Sequence, residues 1–467
     1  MMAEEVALFE DMEPQVAPSR DVGLPRYVEA KRDEIVFEQF EFDQLISDGH
    51  PARLIWEYLE GVDLSALYER IQARAHTPGR PPADPRVVLA LWLYACVEGV
   101  GSARELDRLT QVHNGFRWLR GKTPLNYHLL SDFRWQAAEV ADRLLTQGVT
   151  ALWSEGLVSL ASLTQDGLRV RASAGAASFR RLQTLEGLLH QVEERIAQLK
   201  QEIDADPDAS KRRLRVARER MARERRTRIM AALEAARAVA AQQAAAEAAK
   251  KAKKPDSEPP PPSDNGATQG EDKKKKKEPR FSTTDVEARV MRMPDGGWRP
   301  AYNIQLTGAL GFDLILGVGI DTTGSDGGLM VPAVEDIERR FEHHPEHWLA
   351  DGGFTRLDDI VAVSRKGIVV FCPLKPRRNP KNDPAAPRPG DPPEIAAWRR
   401  RMVDDASAGK AGWMRRRAEH ERLNANFRRQ GLQQFNVRGT FKVRVVCLLH
   451  ALANNIMVAA RLRAAAA

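Results

Sequence analysis

Seven aliphatic residues, Leu182, Leu185, Leu189, Val192, Ile196, Leu199 and Ile203, follow one another at intervals of three and four. That spacing is the heptad seam of a helix packed along its length against another helix. Asp206-Pro207-Asp208 ends the seam, and a second helical stretch, rich first in Arg and then in Ala, runs to about Lys250. A proline so soon after the seam favours a partner on the same chain over a parallel dimer, so 181–250 is expected to fold as an antiparallel helical hairpin. Residues 251–280 follow as a Lys-, Pro- and Gly-rich segment of low complexity, expected to be a disordered linker. Its Lys273–Lys277 run suits non-specific contact with DNA, although a solvated linker accounts for it equally well.

The flanking segments differ in character. Residues 1–35 are acidic, contain proline and lack a period, as a loose arm would. From 36 to 150 the pattern is helical. Val87–Val97 is apolar almost all round, which suits a helix enclosed by others, and Ser102-Ala-Arg-Glu105 has the form of a capping box. Residues 157–172 lose the helical period and suggest a buried strand with a turn at Asp166-Gly167. Beyond the linker, Ala288–Met293, Ala301–Thr307 and Leu314–Ile320 suggest a three-strand meander turning at Asp295-Gly-Gly297. A helix over Val331–His343, a short strand Trp348–Ala350 and a strand Ile368–Cys372 come next, and an apolar helix over Lys442–Arg461 closes the pattern. The expectation is an all-helical domain (36–150) followed by a mixed α/β domain (151–180 and 281–463) that the hairpin and linker interrupt.

Composition narrows the function class. There are 71 Lys and Arg against 64 Asp and Glu, a net charge of +7 that permits nucleic acid as a partner without establishing it. No uninterrupted apolar run approaches the ~18–20 residues of a bilayer span, and the first residues carry acids where a secretory signal carries bases. Cys96, Cys372 and Cys447 are too scattered for a disulfide framework or a thiolate metal site. These features point to the cytoplasm, without membrane attachment.

Three acids are placed where chemistry could use them. Asp166 and Asp351 fall at ends of expected strands, the latter before two glycines, and Glu421 lies in a later helix. Converging carboxylates repel unless cations intervene, and Mg²⁺, hard and oxygen-seeking, suits that role beside a phosphate. With Met414 as origin, Arg417, Glu421 and Arg428 follow at +3, +7 and +14, within roughly 60° of one helix face, while Glu419 points about 160° away from Glu421. Other acids have plainer explanations: Asp321, Asp326 and Asp285 sit among Thr, Ser and Gly as turn or cap residues do. His343, His344 and His347 lack a third ligand at motif spacing, and Gly324–Gly328 lacks the ending of a nucleotide-binding loop.

These residues resemble those of bacterial insertion-sequence transposases of the DDE type. The resemblance covers His50-Pro-Ala-Arg53, Asp84-Pro85, Gly99-Val-Gly-Ser-Ala-Arg-Glu-Leu106 and Leu130-Ser-Asp-Phe-Arg134 in the helical part. It continues through Gly297-Trp-Arg-Pro-Ala-Tyr-Asn-Ile-Gln305, Leu349-Ala-Asp-Gly-Gly-Phe354, Arg438-Gly439 and Ala453-Asn-Asn455. Asp166 and Asp351 match the family's two aspartates. Met414, Arg417, Glu421 and Arg428 stand at the spacing of its Tyr, Arg, Glu, Lys signature, with Met for Tyr and Arg for Lys. The resemblance implies an RNase H-like mixed-sheet catalytic domain in which Asp166, Asp351 and Glu421 hold two Mg²⁺ or Mn²⁺ ions. It implies cleavage and rejoining of DNA at the element's terminal inverted repeats and in target DNA, with a homodimer in the active complex. Arg417 and Arg428 would position the phosphodiester, and Arg104, Arg108 and Arg117 are candidates for phosphate contacts from the helical domain. On this reading the protein is nucleoid-associated when bound to DNA. The alternative is a catalytically inactive, transposase-derived DNA-binding protein.

Overall fold

Helix formation dominates the N-terminal part because apolar residues recur at helical spacing and the ends are capped. The computed structural model describes residues 41–71, 82–205, 209–252, 279–374, 386, 388–403, 417–418 and 420–467. The 1–35 arm, the linker from 253 to 278, Met414 and Glu419 lie outside them. The first helices are α1 (Pro51–Glu60), α2 (Ser65–Tyr68), α3 (Pro85–Val97), α4 (Ala103–Val112), α5 (Asn114–Arg120), α6 (Tyr127–Gln136) and α7 (Ala138–Ser154). Asp84 caps α3 by accepting from the Arg86 N–H at 2.8 Å, with Pro85 in the first turn, where no backbone N–H is needed. Every residue of α3 from Val87 to Cys96 is buried, as its apolar circumference predicts. The capping box at α4 is only half made. Ser102 Oγ accepts from Glu105 N–H at 3.4 Å, but the Glu105 carboxylate turns to Arg108.

Strand β1 (Ser162–Arg171) passes straight through Asp166-Gly167, so the expected turn there does not exist. Glycine serves close approach instead: a Cβ at 167 would lie 2.5 Å from Asp326 Oδ1 and 2.9 Å from Asn303 Oδ1. After β2 (Phe179–Arg180) come α8 (Leu182–Asp204) and α9 (Ala209–Ala252), and β3 (Phe281–Ser282) pairs back on β2. Ion pairs Glu186–Arg237, Glu193–Arg226 and Glu202–Arg215 run in opposite order along the two helices, which makes the hairpin antiparallel. Of the heptad residues, Leu185, Val192 and Leu199 are buried, while Leu182, Leu189, Ile196 and Ile203 are half-buried. One partner helix encloses one row of the seam and leaves the other row at the edge.

The strands after the hairpin are β4 (Arg289–Arg292), β5 (Trp298–Ala309) and β6 (Leu314–Asp321). Next come α10 (Met330–Phe341), β7 (His347–Ala350), α11 (Leu357–Arg365), β8 (Val369–Phe371) and α12 (Pro393–Val403), then α13 (His420–Arg429) and α14 (Thr440–Ala466). The sheet order is β4-β5-β1-β7-β8, with β6 also on β5. β1 is antiparallel to β5 and parallel to β7, and β7 is parallel to β8. The class is therefore α/β with a mixed sheet, as expected.

Phe42–Ala467 is one compact unit with a core that crosses the helical and sheet parts. Ile55, Leu89 and Leu144 share a cluster with Leu168, Tyr302, Phe427 and Leu448. α14 is long and apolar enough to cross a membrane, but it is spent on this core: 83% of its most apolar window is buried. Asn455 on α14 clasps the edge of the sheet. It accepts from the Ile315 N–H at 2.9 Å and donates to the Ile315 carbonyl at 2.6 Å, as a neighbouring strand would. Asp285, expected as a turn or cap residue, is buried and accepts from the Tyr302 hydroxyl at 2.7 Å and the Gly439 N–H at 3.2 Å.

Candidate active site

The parallel pairing of β1 and β7 decides where the first two acids go. Ser162 stands opposite His347 and Gln165 opposite Ala350, so the next step brings Asp166 beside Asp351. Adjacent strands lie about 4.8 Å apart. The two glycines after Asp351 let the chain leave the strand at once, and Asp351 Oδ1 accepts from Gly353 N–H at 2.7 Å. Cys372 Sγ donates to the Asp351 carbonyl at 2.9 Å, tying this turn to the residue after β8.

α13 covers the Asp166 face of β1. Side chains alternate along a strand, so Thr164 and Asp166 share this face. His420 Nδ1 lies 2.5 Å from Thr164 Oγ1, and Asn424, one turn further along α13, donates through Nδ2 to Asp166 Oδ2 at 2.9 Å. Burial pushes the His420 imidazole down to about 3, helped by Arg417, so it is neutral and serves as an anchor of the helix. Its Nε2 is buried without a partner among the described residues, as is Asn424 Oδ1.

Asp166 holds its proton unusually tightly. Burial pushes its carboxyl up to about 6 and the Gly167 N–H, donating at 2.8 Å, pulls it back. The Asp351 carboxylate raises it, Arg417 lowers it and Asp326 raises it slightly. The charges of Asp351, Arg417 and Asp326 thus all reach Asp166. Glu421, in the first turn of α13, is placed differently: its side chain is 68% exposed and lies 3.8 Å from that of Arg417, three residues before the helix. It stands one turn from Asn424, about 4.5 Å along the axis. Arg428 is exposed two turns further on. Among the described residues, no three His, Cys, Asp or Glu side chains are gathered closely enough to hold a metal ion as they stand.

Two residues at this site escaped the reading of the sequence. Asn424 lies on the Glu421 face of α13, three residues on, and continuing the same helical arithmetic would have found it. Asp326, expected in a turn or cap, sends its side chain to the other face of the sheet. There Oδ1 accepts from Asn303 Nδ2 at 2.7 Å and Gln305 Nε2 at 3.0 Å, with Arg169 at 3.9 Å from Oδ2. The signal for it was in β5, where Asn303 and Gln305 interrupt an apolar strand with two buried amides. In the helical part, Arg104 lies 5.0 Å over the Tyr127 ring and Arg108 pairs with Glu105 at 2.6 Å, both exposed on one face of α4. Arg117, on α5, is half-buried and donates to Asn114 Oδ1 at 3.2 Å.

The donor set where β1 and β7 meet consists of oxygen, the chemistry that magnesium or manganese selects. Both Asp166 oxygens accept a hydrogen bond, Oδ1 from Gly167 N–H and Oδ2 from Asn424 Nδ2, while Asn424 Oδ1 is buried without a partner among the described residues. Oxygen donors of this kind suit a divalent cation, but among the described residues they are not gathered into a set of three.

Comparison with known proteins bears on the helical part. No curated protein and no solved structure matches the chain. Residues 40–136 match the family model described as Transposase domain (DUF772). This part of the chain, α1 to α6, is therefore similar to a transposase domain, which is consistent with an insertion-sequence transposase and with DNA as the partner.

Proposed function

We propose that this protein is a DDE-type insertion-sequence transposase that cleaves and rejoins DNA strands at the ends of its element by two-metal phosphoryl transfer. The observation that carries the reading is the register of β1 on β7, which leaves Asp166 and Asp351 each one residue beyond the paired Gln165 and Ala350, in the middle of a mixed sheet. The meander β4–β6 running into parallel strands β1, β7 and β8 supports an RNase H-like core.

In this mechanism Asp166 and Asp351 would hold Mg²⁺ or Mn²⁺, with Glu421 turning from Arg417 to complete the set. Two such ions supply activation of the attacking water or 3′ hydroxyl and stabilisation of the leaving oxygen. Arg417, released from Glu421, and Arg428 orient the phosphodiester. Asn424 keeps the Asp166 carboxylate aimed, and His420, through Thr164, holds α13 against β1. Asp326 stays on the far face, positioned by Asn303 and Gln305, and Cys372 fixes the Asp351 turn. Arg104, Arg108 and Arg117 supply phosphate contacts for terminal repeats. Joining two ends calls for a homodimer, and the work is done in the cytoplasm at the nucleoid, away from membranes.

One observation favours the second reading, a catalytically inactive DNA-binding descendant: the Glu421–Arg417 ion pair leaves the three acids apart. A nicking assay on duplex DNA carrying the element's ends, in Mg²⁺ and in Mn²⁺, separates the two. The expected result is cleavage by the wild type and none by Asp351→Asn, with DNA binding retained. Wild-type binding without nicking in either metal selects the inactive descendant, and undiminished cleavage by Asp351→Asn refutes the metal assignment.

A further inference from the structure

Between Arg212 and Arg228, α9 carries nine arginines and two glutamates. Some of that charge is explained by the hairpin itself. Arg215 and Arg226 pair with Glu202 and Glu193 across to α8, and Arg220 and Arg223 pair with Glu224 and Glu219 along α9. Arg218, Arg225 and Arg228 have no acidic partner among the described residues. They lie beside the seam that faces α8, which runs through 215, 219, 222, 226, 229, 233 and 236. At 3.5 residues per turn, 218 and 225 coincide, and 228 lies about 50° from them together with Leu214 and Met221. Leu214 is 54% exposed and Met221 68% exposed, Arg218 and Arg225 are exposed and Arg228 is half-buried, so the strip is largely open among the described residues.

We propose that this strip of the inserted hairpin is an arm that binds the phosphate backbone of duplex DNA without reading sequence. The partner rests on the transposase reading, and the placement rests on the arginines. A helix in which acids suffice only for the packed face and for local pairs leaves a surplus of charge pointing outward. Arginine is the residue that grips phosphate through a planar fork of donors. From Arg218 to Arg228 the helix rises about 15 Å, the length over which duplex DNA presents about nine phosphate charges. The base of the arm is fixed, because Leu185, Leu233 and Ala236 pack with Phe281 of β3. The strip begins about 8 Å beyond that base, counting from Leu233 to Arg228 along the axis. An arm so placed would add a further contact of about four to five base pairs to whatever the α/β part holds.

The test is titration of the full chain against a fluorescent 40-base-pair duplex of arbitrary sequence, over a series of salt concentrations. The triple variant Arg218→Gln/Arg225→Gln/Arg228→Gln is compared with wild type and with the three-lysine version. If three phosphate contacts are lost, the slope of log K against log salt becomes shallower by about 2.7, and affinity near 0.1 M salt falls on the order of 10²-fold. The three-lysine version restores most of that loss. Wild-type slope and affinity in the glutamine variant, with helical content unchanged by circular dichroism, overturn the proposal while leaving the transposase reading intact. A loss of self-association in sedimentation, with DNA binding unchanged, assigns the strip to a second copy of the chain and also overturns it. Failure of the wild type to bind any duplex sinks the transposase reading, and the arm with it.

Discussion

Replacing Asp166 with Asn should make the protein more stable at neutral pH while destroying its proposed chemistry. The carboxyl is pushed from its ordinary 3.8 up to about 6, chiefly by burial. Below pH 3.8 the folded and unfolded chains both hold the proton and the group is neutral to stability. Between 3.8 and 6 the folded chain keeps a proton that the unfolded chain has released, so stability falls as pH rises. Above 6 the loss is complete. At 1.36 kcal/mol per tenfold difference in proton affinity, that loss is about 3 kcal/mol at pH 7.5 and about 1.5 kcal/mol at pH 5. Asn cannot ionise, and with its Oδ1 accepting from Gly167 N–H and its Nδ2 donating to the Oδ1 of a rotated Asn424 it keeps both partners, so Asp166→Asn recovers both amounts. A unit of this size unfolds with an entropy of about 0.9 kcal/mol/K, so the variant should melt about 3 °C above wild type at pH 7.5 and about half that at pH 5. Differential scanning calorimetry at the two pH values checks this. Added Mg²⁺ should raise the wild-type melting temperature and leave the variant unmoved, because only the carboxylate gains from the ion. A variant that melts below wild type at pH 7.5, or whose advantage is the same at both pH values, refutes the account of a buried carboxylate crowded by its neighbours.

Three further outcomes follow from particular contacts. Gly167→Ala forces a methyl to within 2.5 Å of Asp326 Oδ1 and should cost about 1–3 kcal/mol in urea unfolding; Asp326→Ser made alongside it should recover part of that cost. Arg340 is almost wholly buried between Asp142 and Asp336, so Arg340→Met should cost about 3–5 kcal/mol by the same measurement, because two carboxylates lose their shared cation. Asn455→Leu removes both partners of the Ile315 backbone and should cost about 2–4 kcal/mol, with amide exchange at Ile315 accelerated while that of β1 changes only with global stability.

Periodicity made much of this architecture visible in advance. The heptads of α8, the all-apolar α3 and the largely apolar strands β5 and β6 each follow from where a side chain must go to be buried. What stayed hidden was pairing over long range. Asp166-Gly167 has the residues of a turn, and only the approach of Asp326 from a distant loop explains why the strand needs a glycine there. Asp285 has the local setting of a cap, and only Tyr302 and Gly439, from β5 and the start of α14, explain its burial. Ala453-Asn-Asn455 carried the resemblance, yet the reason for Asn455 is a sheet edge about 140 positions earlier in the chain. Asp351 follows directly on β7, where a strand end was expected, whereas Asp166 lies in the middle of β1, which runs on to Arg171. That Glu421 stands apart from them, held by Arg417, is a matter of side-chain rotation that no spacing rule encodes.

The insertion of about a hundred residues between β1 and the meander leaves the sheet undisturbed for a topological reason. β1 and β5 are antiparallel neighbours, so whatever joins them must leave and return at the same end of the sheet. The chain does so through β2 and β3, where Phe179 stands opposite Ser282 and Arg180 opposite Phe281. Ser178 and Ser282 close the stem with hydroxyls 2.7 Å apart, and Thr283 N–H donates to the Ser178 carbonyl at 3.1 Å. With the two ends joined in this way, the added length changes the closure entropy only logarithmically, by about 0.6 kcal/mol for each doubling. The hairpin can then acquire a charged face without strain reaching Asp166, whose position is set by β7 on one side and Asn424 on the other. The proposed device for holding DNA and the proposed centre for cutting it can in this way change independently on one chain.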